Sequence, residues 1–341
     1  MKKSLNVGVV GCGAIGKEHI KRLTEVVPET KVTAVSDYFE DVAKEIAKEY
    51  GAKAYTDSFE LINSDDVDAV VITSTDDTHA QFVMECLKVG KYVFCEKPLA
   101  LTQQECEDMM KAEQKWGKRL VQVGFMRRFD KGYREMKKAF DEGEIGEALM
   151  VHCAHRVMSE APGFQTDYAI TRVAIHEIDI CRWLLNQEYE EVQVLKVKQS
   201  RRTMGDWLNP QLVMLTTKDG QRIDVEVQSD GAYAYDIQCQ IVGEDGTLNL
   251  PDPAFVTKRS TRGFAHNLEK SWIYRFIEAY DIELKEWALA VLEEKLTGPS
   301  TWDGYAACVA ADALIKSRQT GQPEKVNMIE KPDIYNDREE N

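Results

Sequence analysis

The chain has 341 residues, 43% hydrophobic and 30% charged, the balance of a soluble globular protein long enough for two domains with substantial cores. A formal net charge of −15, with no basic cluster long enough to follow a phosphate backbone, excludes nucleic acid as a partner. No segment approaches the ~20 consecutive apolar residues of a membrane helix, and eight scattered cysteines without paired ligand spacing predict a reduced, cytoplasmic protein with no metal site.

Met1-Lys2-Lys3 and the apolar residues up to Cys12 superficially resemble a lipoprotein leader, but the apolar core is short, is interrupted by Asn6 and Gly8, and merges with a more informative motif. Val7, Val9 and Val10 suit a buried parallel strand, and Gly11-Cys12-Gly13-Ala14-Ile15-Gly16 follows as a G-x-G-x-x-G turn. Gly11 permits the tight exit, Gly13 lets backbone approach a pyrophosphate, and Gly16 allows close packing of helix on strand. The helix start, with Ala14 and Ile15, offers its N–H groups to the phosphates. An amphipathic segment (Ile15, Ile20, Leu23, Val26) leads to the strand Lys31–Ser36 and then to Asp37, 21 residues beyond Gly16. A carboxylate there accepts hydrogen bonds from the adenosine ribose and repels a 2′-phosphate. Tyr38, not an arginine, follows it, so NAD is expected over NADP.

The alternation continues. A helix over Tyr38–Tyr50 stops at Gly51, and the strand Val67–Thr73 runs into the polar turn Ser74-Thr75-Asp76-Asp77. A helix to Val89 stops at Gly90; the strand Tyr92–Cys95, the tripeptide Glu96-Lys97-Pro98, a helix capped near Thr102 and the strand Leu120–Val123 complete the set. This βαβ repetition predicts a doubly wound parallel sheet, a Rossmann domain over residues 1–124.

Beyond about Phe125 long alternating runs replace it: Ala148–His155, Val192–Lys198, Gln211–Thr217, Arg222–Gln228 and Asp236–Val242. With helices expected over Arg172–Leu185, His266–Leu296 and Tyr305–Arg318, they predict an α+β domain over 125–331. Its sheet is large, open and mostly antiparallel, and such sheets commonly cover their second face with another subunit. Residues 332–341 read as a loosely ordered acidic tail.

Four segments together resemble one known family: the glycine turn, Glu96-Lys97-Pro98, Leu149–Arg156, and His176-Glu177-Ile178-Asp179-Ile180. On these the chain is similar, along nearly its whole length, to the glucose–fructose oxidoreductase / inositol dehydrogenase / rhizopine catabolism (Gfo/Idh/MocA) family. Val123–Asp130 and Gly146–Leu149 look most like its inositol dehydrogenase branch. The resemblance implies NAD-dependent oxidation of a cyclic polyol such as myo-inositol, and a homotetramer. His176 is implied as the base for the hydroxyl proton, and Lys97 as the group that bonds the reacting oxygen, with the Lys-Pro bond often cis. It further implies polyol contacts from Arg127, His155, Asp179 and Tyr235. Cofactor contacts are expected from Thr73, Ser74, Thr75, His79, Glu96, Lys97 and Met126, besides Gly11, Gly13, Ala14, Ile15, Gly16 and Asp37. His152 has the opposite strand parity to His155, so only one of them faces the substrate, and the motif selects His155. Asp179 shares a helix face with His176; it either orients the base or substrate, or pairs with Arg182.

One departure stands out. Similar inositol dehydrogenases carry a carboxylate four residues before the catalytic histidine, and here that position is Arg172; Val157–Glu160 also departs from the branch pattern. Either Arg172 binds a carboxylate, implying a uronate or aldonate substrate, or Asp167 or Asp179 takes over the missing role. Two further readings are an NAD-using glycoside hydrolase, which no extended extra loop supports, and an NAD-bound regulator, which the intact Lys97 and His176 disfavour.

Overall fold

In the computed structural model, which describes residues 4–203, 205–251 and 256–336, the apolar run near the N-terminus forms β1 (Leu5–Val10), almost wholly buried. The glycine turn leads into α1 (Ala14–Glu25). The alternation continues with β2 (Thr30–Ser36), α2 (Glu40–Tyr50), β3 (Lys53–Tyr55), α3 (Ser58–Ile62), β4 (Ala69–Ile72), α4 (His79–Lys88), β5 (Tyr92–Glu96), α5 (Gln103–Trp116) and β6 (Val121–Gly124). The six strands pair in parallel in the order β3-β2-β1-β4-β5-β6. The order reverses beside β1, so the ligand crevice of this sheet lies outside the carboxyl ends of β1 and β4. α1 buries Gly16, His19, Ile20 and Leu23. Val26, expected on that stripe, is 46% exposed at the helix end, and His19 takes a core position at 0% exposure.

The second set of elements starts with α6 (Lys131–Asp141) and β7 (Ala148–Arg156). A π-helical stretch, Ala169–Ala174, then runs into α7 (Ile175–Leu185). β8 (Tyr189–Leu195), β9 (Gln211–Thr217), β10 (Arg222–Gln228), β11 (Asp236–Gly243) and β12 (Thr247–Asn249) follow, and a separate hairpin pairs β13 (Thr257–Ser260) with β14 (Gly263–His266). Then come α8 (Trp272–Arg275), α9 (Ile277–Leu292), α10 (Thr301–Thr320) and β15 (Glu324–Lys325). The seven-stranded sheet has the order β12-β11-β7-β10-β9-β8-β15, antiparallel except where β7 meets β10. The helix expected from His266 starts only at Trp272, because His266 pairs with Thr257 in the hairpin and Ser271 caps the helix by accepting the Ile273 N–H. No described helix is long and apolar enough to cross a membrane.

The chain forms two compact units, one of residues 1–125, 280–308 and 329–341, the other of 126–279 and 309–328. Residues 280–308, which lie within the span 125–331 read as the second domain, group with the first unit. Trp287 meets Phe94 edge-on with ring centroids 5.9 Å apart. Arg22 Nε donates to Asp281 at 3.0 Å, and the Val123 N–H donates to Pro299 O at 2.8 Å. The expected tail is also docked as far as it is described: Tyr335 is buried and its hydroxyl donates to Glu113 Oε2 at 2.5 Å. Residues 337–341 of that tail lie outside the described residues.

Candidate active site

The glycine turn is built by close approach at two of its three glycines. Gly11 has φ +95°, and a Cβ there would stand 2.5 Å from Ser74 N. A Cβ at Gly16 would run into Gly11 O and come within 2.8 Å of Thr73 Oγ1, the hydroxyl that donates to Gly11 O at 2.6 Å. Gly13 is different: nothing lies within 4 Å of its Cβ position, and Gly13 and Ala14 are exposed while Ile15 is half-buried. Gly13 is also the N-cap of α1 and has no side chain to cap it. The start of α1 is thus open beside Gly13, as a pyrophosphate bound at a helix N-terminus requires. Asp37 closes the turn from the end of β2, accepting the Cys12 N–H at 2.7 Å and the Phe39 N–H at 2.9 Å. The turn, the open helix start and the ribose carboxylate fit an NAD molecule.

At the end of β5 the Lys97-Pro98 bond is cis and Lys97 is half-buried. Its N–H donates to Glu96 Oε2 at 3.2 Å, while Glu96 Oε1 takes His19 Nε2 at 2.8 Å. His79 is buried between two carbonyls, with Nδ1 2.7 Å from Pro98 O and Nε2 3.1 Å from Ser74 O. Glu96 and His79, expected to meet the cofactor, also make these hydrogen bonds within the chain, which fix the backbone on either side of Lys97. Ser74 Oγ takes the Thr78 hydroxyl at 2.7 Å, and Thr75 O caps the short turn Asp76–Thr78. His19 escaped the sequence reading; a polar residue three positions after Gly16, on the core face of α1, was its signal.

In the second unit, Met126 opens the short 3-10 turn Met126–Phe129, which carries Arg127 and Arg128 under the wholly buried N-terminal half of α7. Arg127 is 1% exposed. Its Nη1 bonds Glu177 Oε1 and its Nη2 lies 3.1 Å from His155 Nδ1. His155 Nδ1 is also 2.9 Å from Glu177 Oε2, so one ring nitrogen meets both the guanidinium and the carboxylate. Burial opposes both charges, yet each holds the other: the Arg127 guanidinium keeps Glu177 below the usual carboxylate range, and Glu177 keeps Arg127 above its own. The His155 ring lies 6.1 Å from that of His176 and 5.6 Å, edge-on, from that of Tyr235. Burial pushes the Tyr235 hydroxyl up to about 12, so it stays protonated.

Asp179 pairs with Arg128, whose Nε donates at 2.9 Å and Nη2 at 2.5 Å, and Arg182 pairs with Glu188. Arg172 is exposed, its guanidinium 3.7 Å from the centre of the Tyr168 ring one turn earlier, and Asp167 pairs with Arg318 at 2.5 Å. His152 stands exposed on the opposite face of β7, 2.5 Å from Asp224. The structure therefore gathers Arg127, His155, His176 and Tyr235, with Asp179 on the same helix, and leaves Arg172 over Tyr168. Glu177 and Arg128 were missed, although each adjoins a residue that was named. Among the described residues no His, Cys, Asp and Glu side chains gather as a metal site.

Two family models match the chain: an oxidoreductase family NAD-binding Rossmann fold over residues 5–125, and the C-terminal alpha/beta domain of the same family over 137–328. An inositol 2-dehydrogenase of Burkholderia cenocepacia is 46% identical over 334 residues, 97% of this chain and 99% of the relative. One from Klebsiella pneumoniae is 47% identical over the same shares. A crystal structure of myo-inositol dehydrogenase from Lactobacillus casei, in complex with NAD(H) and myo-inositol, superposes with a TM-score of 0.94 at 37% identity, covering 97% of this chain and 99% of that one.

Proposed function

The chain belongs to the Gfo/Idh/MocA oxidoreductase family, and from that membership we propose that it oxidises one hydroxyl of a cyclic polyol to a ketone with NAD, the substrate being myo-inositol or a stereoisomer. The observation that carries this reading is identity of 46% to an inositol 2-dehydrogenase along 97% of the chain. When bound, NAD accepts the hydride that leaves the carbinol carbon. His176 takes the hydroxyl proton, and the Lys97 ammonium bonds the same oxygen and stabilises its developing negative charge. His155 and Tyr235 offer polar contacts to ring hydroxyls, which distinguishes a polyol from its deoxy analogue. Arg127 acts on His155 from behind, and the Asp179 carboxylate, held by Arg128, accepts from a further hydroxyl. Gly11, Gly13, Ala14, Ile15, Gly16 and Asp37 hold the dinucleotide, with Thr73, Ser74, Thr75 and Met126 as further contacts.

The test is formation of NADH, read by its near-ultraviolet absorbance, across inositols, hexoses and uronates. Turnover of inositols is expected. Turnover of uronates alone would overturn the substrate and make Arg172 a carboxylate clamp, and no turnover by protein that binds NAD would overturn the dehydrogenase reading.

We also infer a homo-oligomer, a tetramer by family resemblance, in the cytoplasm. The face of the seven-stranded sheet opposite Cys153 and His155 leaves Met150 and His152 exposed and Leu212 and Met214 half-buried, a surface suited to a second copy. A monomeric mass in solution would sink this. All eight cysteines are free thiols, which suits a reducing compartment.

A further inference from the structure

Two of the six histidines in the chain are buried around the backbone of one lysine. We propose that His19 is a positioning residue for Lys97: through Glu96 it fixes the backbone from which the lysine amine projects. The inference rests on the role given to Lys97 above.

His19 sits in apolar surroundings, edge-on to Phe94 at 5.5 Å and Tyr280 at 5.6 Å between ring centroids. A leucine would fill that apolar space but strand the buried Glu96 oxygen, so what the imidazole adds there is its hydrogen bond. Its Nδ1 is buried with no hydrogen-bond partner, whereas Nε2 is 2.8 Å from Glu96 Oε1. A buried N–H without an acceptor costs more than a lone pair without a donor, so the proton is on Nε2 and the imidazole donates to the carboxylate. Glu96 then accepts from His19 on one oxygen and from the Lys97 N–H on the other, the latter at 3.2 Å. That second bond is the longer one. The terminal carboxylate torsion is soft, so a Glu96 that loses its His19 donor turns toward another and lets go of Lys97 first. On the far side, His79 Nδ1 holds the Pro98 carbonyl at 2.7 Å. Lys97 is thereby pinned between two imidazoles, at a distance from the chemistry that neither imidazole joins.

The experiment uses the full-length protein with NAD and myo-inositol and compares His19→Gln with His19→Asn. The Gln amide nitrogen reaches the place of Nε2 and the Asn nitrogen only that of Nδ1. His19→Gln is expected near native kcat. His19→Asn is expected to lose about 10- to 100-fold in kcat, the scale of a ~1 Å misplacement, with NAD affinity within about threefold of native. The same His19→Asn change in a Lys97→Ala background should cost little further, because the group being positioned is gone. Equal kcat for the Gln and Asn variants, or an undiminished loss in the Lys97→Ala background, would overturn the proposal while leaving the role of Lys97 standing. Native turnover by Lys97→Ala alone would sink the role of Lys97, and the proposal with it.

Discussion

Arg127 and Glu177 place two full charges where almost no solvent reaches, each side chain 1% exposed. Taking both out of water costs several kcal/mol per ion, so such a pair is retained for what it organises more than for net stability. Here it organises His155, whose Nδ1 lies 3.1 Å from Arg127 Nη2 and 2.9 Å from Glu177 Oε2. Removing one partner leaves the other charge buried and uncompensated, and Glu177→Gln is expected to cost about 3–5 kcal/mol at neutral pH. The pH dependence has a definite sign. The folded-state pKa of Glu177 lies below its usual 4.5, so its contribution is complete above that value and is lost as pH falls through the folded pKa. Chemical denaturation of the native and Glu177→Gln proteins across pH checks this: the gap should narrow below the usual value, and a constant gap would contradict the assignment.

At the scale of elements, the nucleotide site depends on how closely α1 can approach the exits of β1 and β4. The three glycines do unlike things there, which separates two substitutions that look equivalent on paper. Gly16→Ala drives a methyl against Gly11 O and Thr73 Oγ1, an overpacking that typically costs about 1–3 kcal/mol. Its melting temperature should fall along with its affinity for NAD. Gly13→Ala meets nothing in the protein, and Gly13 has φ −70° and ψ −163°, open to any residue. It should melt like the native protein and still bind NAD more weakly, because the methyl occupies the space left for the pyrophosphate. Calorimetry with and without NAD distinguishes the two; unchanged NAD affinity in Gly13→Ala would remove the pyrophosphate from that space. α5 shows the more ordinary case, in which a local signal suffices: Thr102 and Glu105 form a reciprocal capping box that starts the helix where the sequence placed it.

The whole molecule is organised by a chain that leaves the first unit at Phe125 and comes back to it twice. The second return ends on Glu113, fully buried in α5, whose carboxylate accepts from the Leu120 and Val121 N–H groups, Thr301 Oγ1 and the Tyr335 hydroxyl. Burial raises its pKa, and four donors compensate the carboxylate that remains. Tyr335→Phe deletes one donor and leaves the ring in place. It is expected to destabilise the protein by about 1–3 kcal/mol, measurable as a lower denaturation midpoint. An unchanged midpoint would mean that the Tyr335 hydroxyl adds nothing to the stability of the first unit.

Much of this was legible in the sequence. The glycine turn, the alternation of apolar strands with capped helices and the carboxylate after β2 are local patterns, and local geometry alone settles what they become. The two strands read as Gln211–Thr217 and Arg222–Gln228 occur with those bounds, because strict alternation leaves a half-buried strand no other register. The strand parity separating His152 from His155 is local in the same sense. Other features required the tertiary structure. Nothing in the periodicity of residues 280–308 says which core they cover, since an apolar helix fits any apolar surface. Asp179 had a candidate partner in Arg182, three residues along the helix; packing also supplied Arg128, 51 residues away in sequence, which no local pattern indicates. His19, Glu96 and Lys97 belong to different elements, and only the folded sheet brings the imidazole to the carboxylate. Sequence determined the elements and the chemical repertoire, because those follow from neighbours along the chain. The pairing of buried polar groups was decided in three dimensions, because each such group must find its partner among whatever side chains the fold delivers to it.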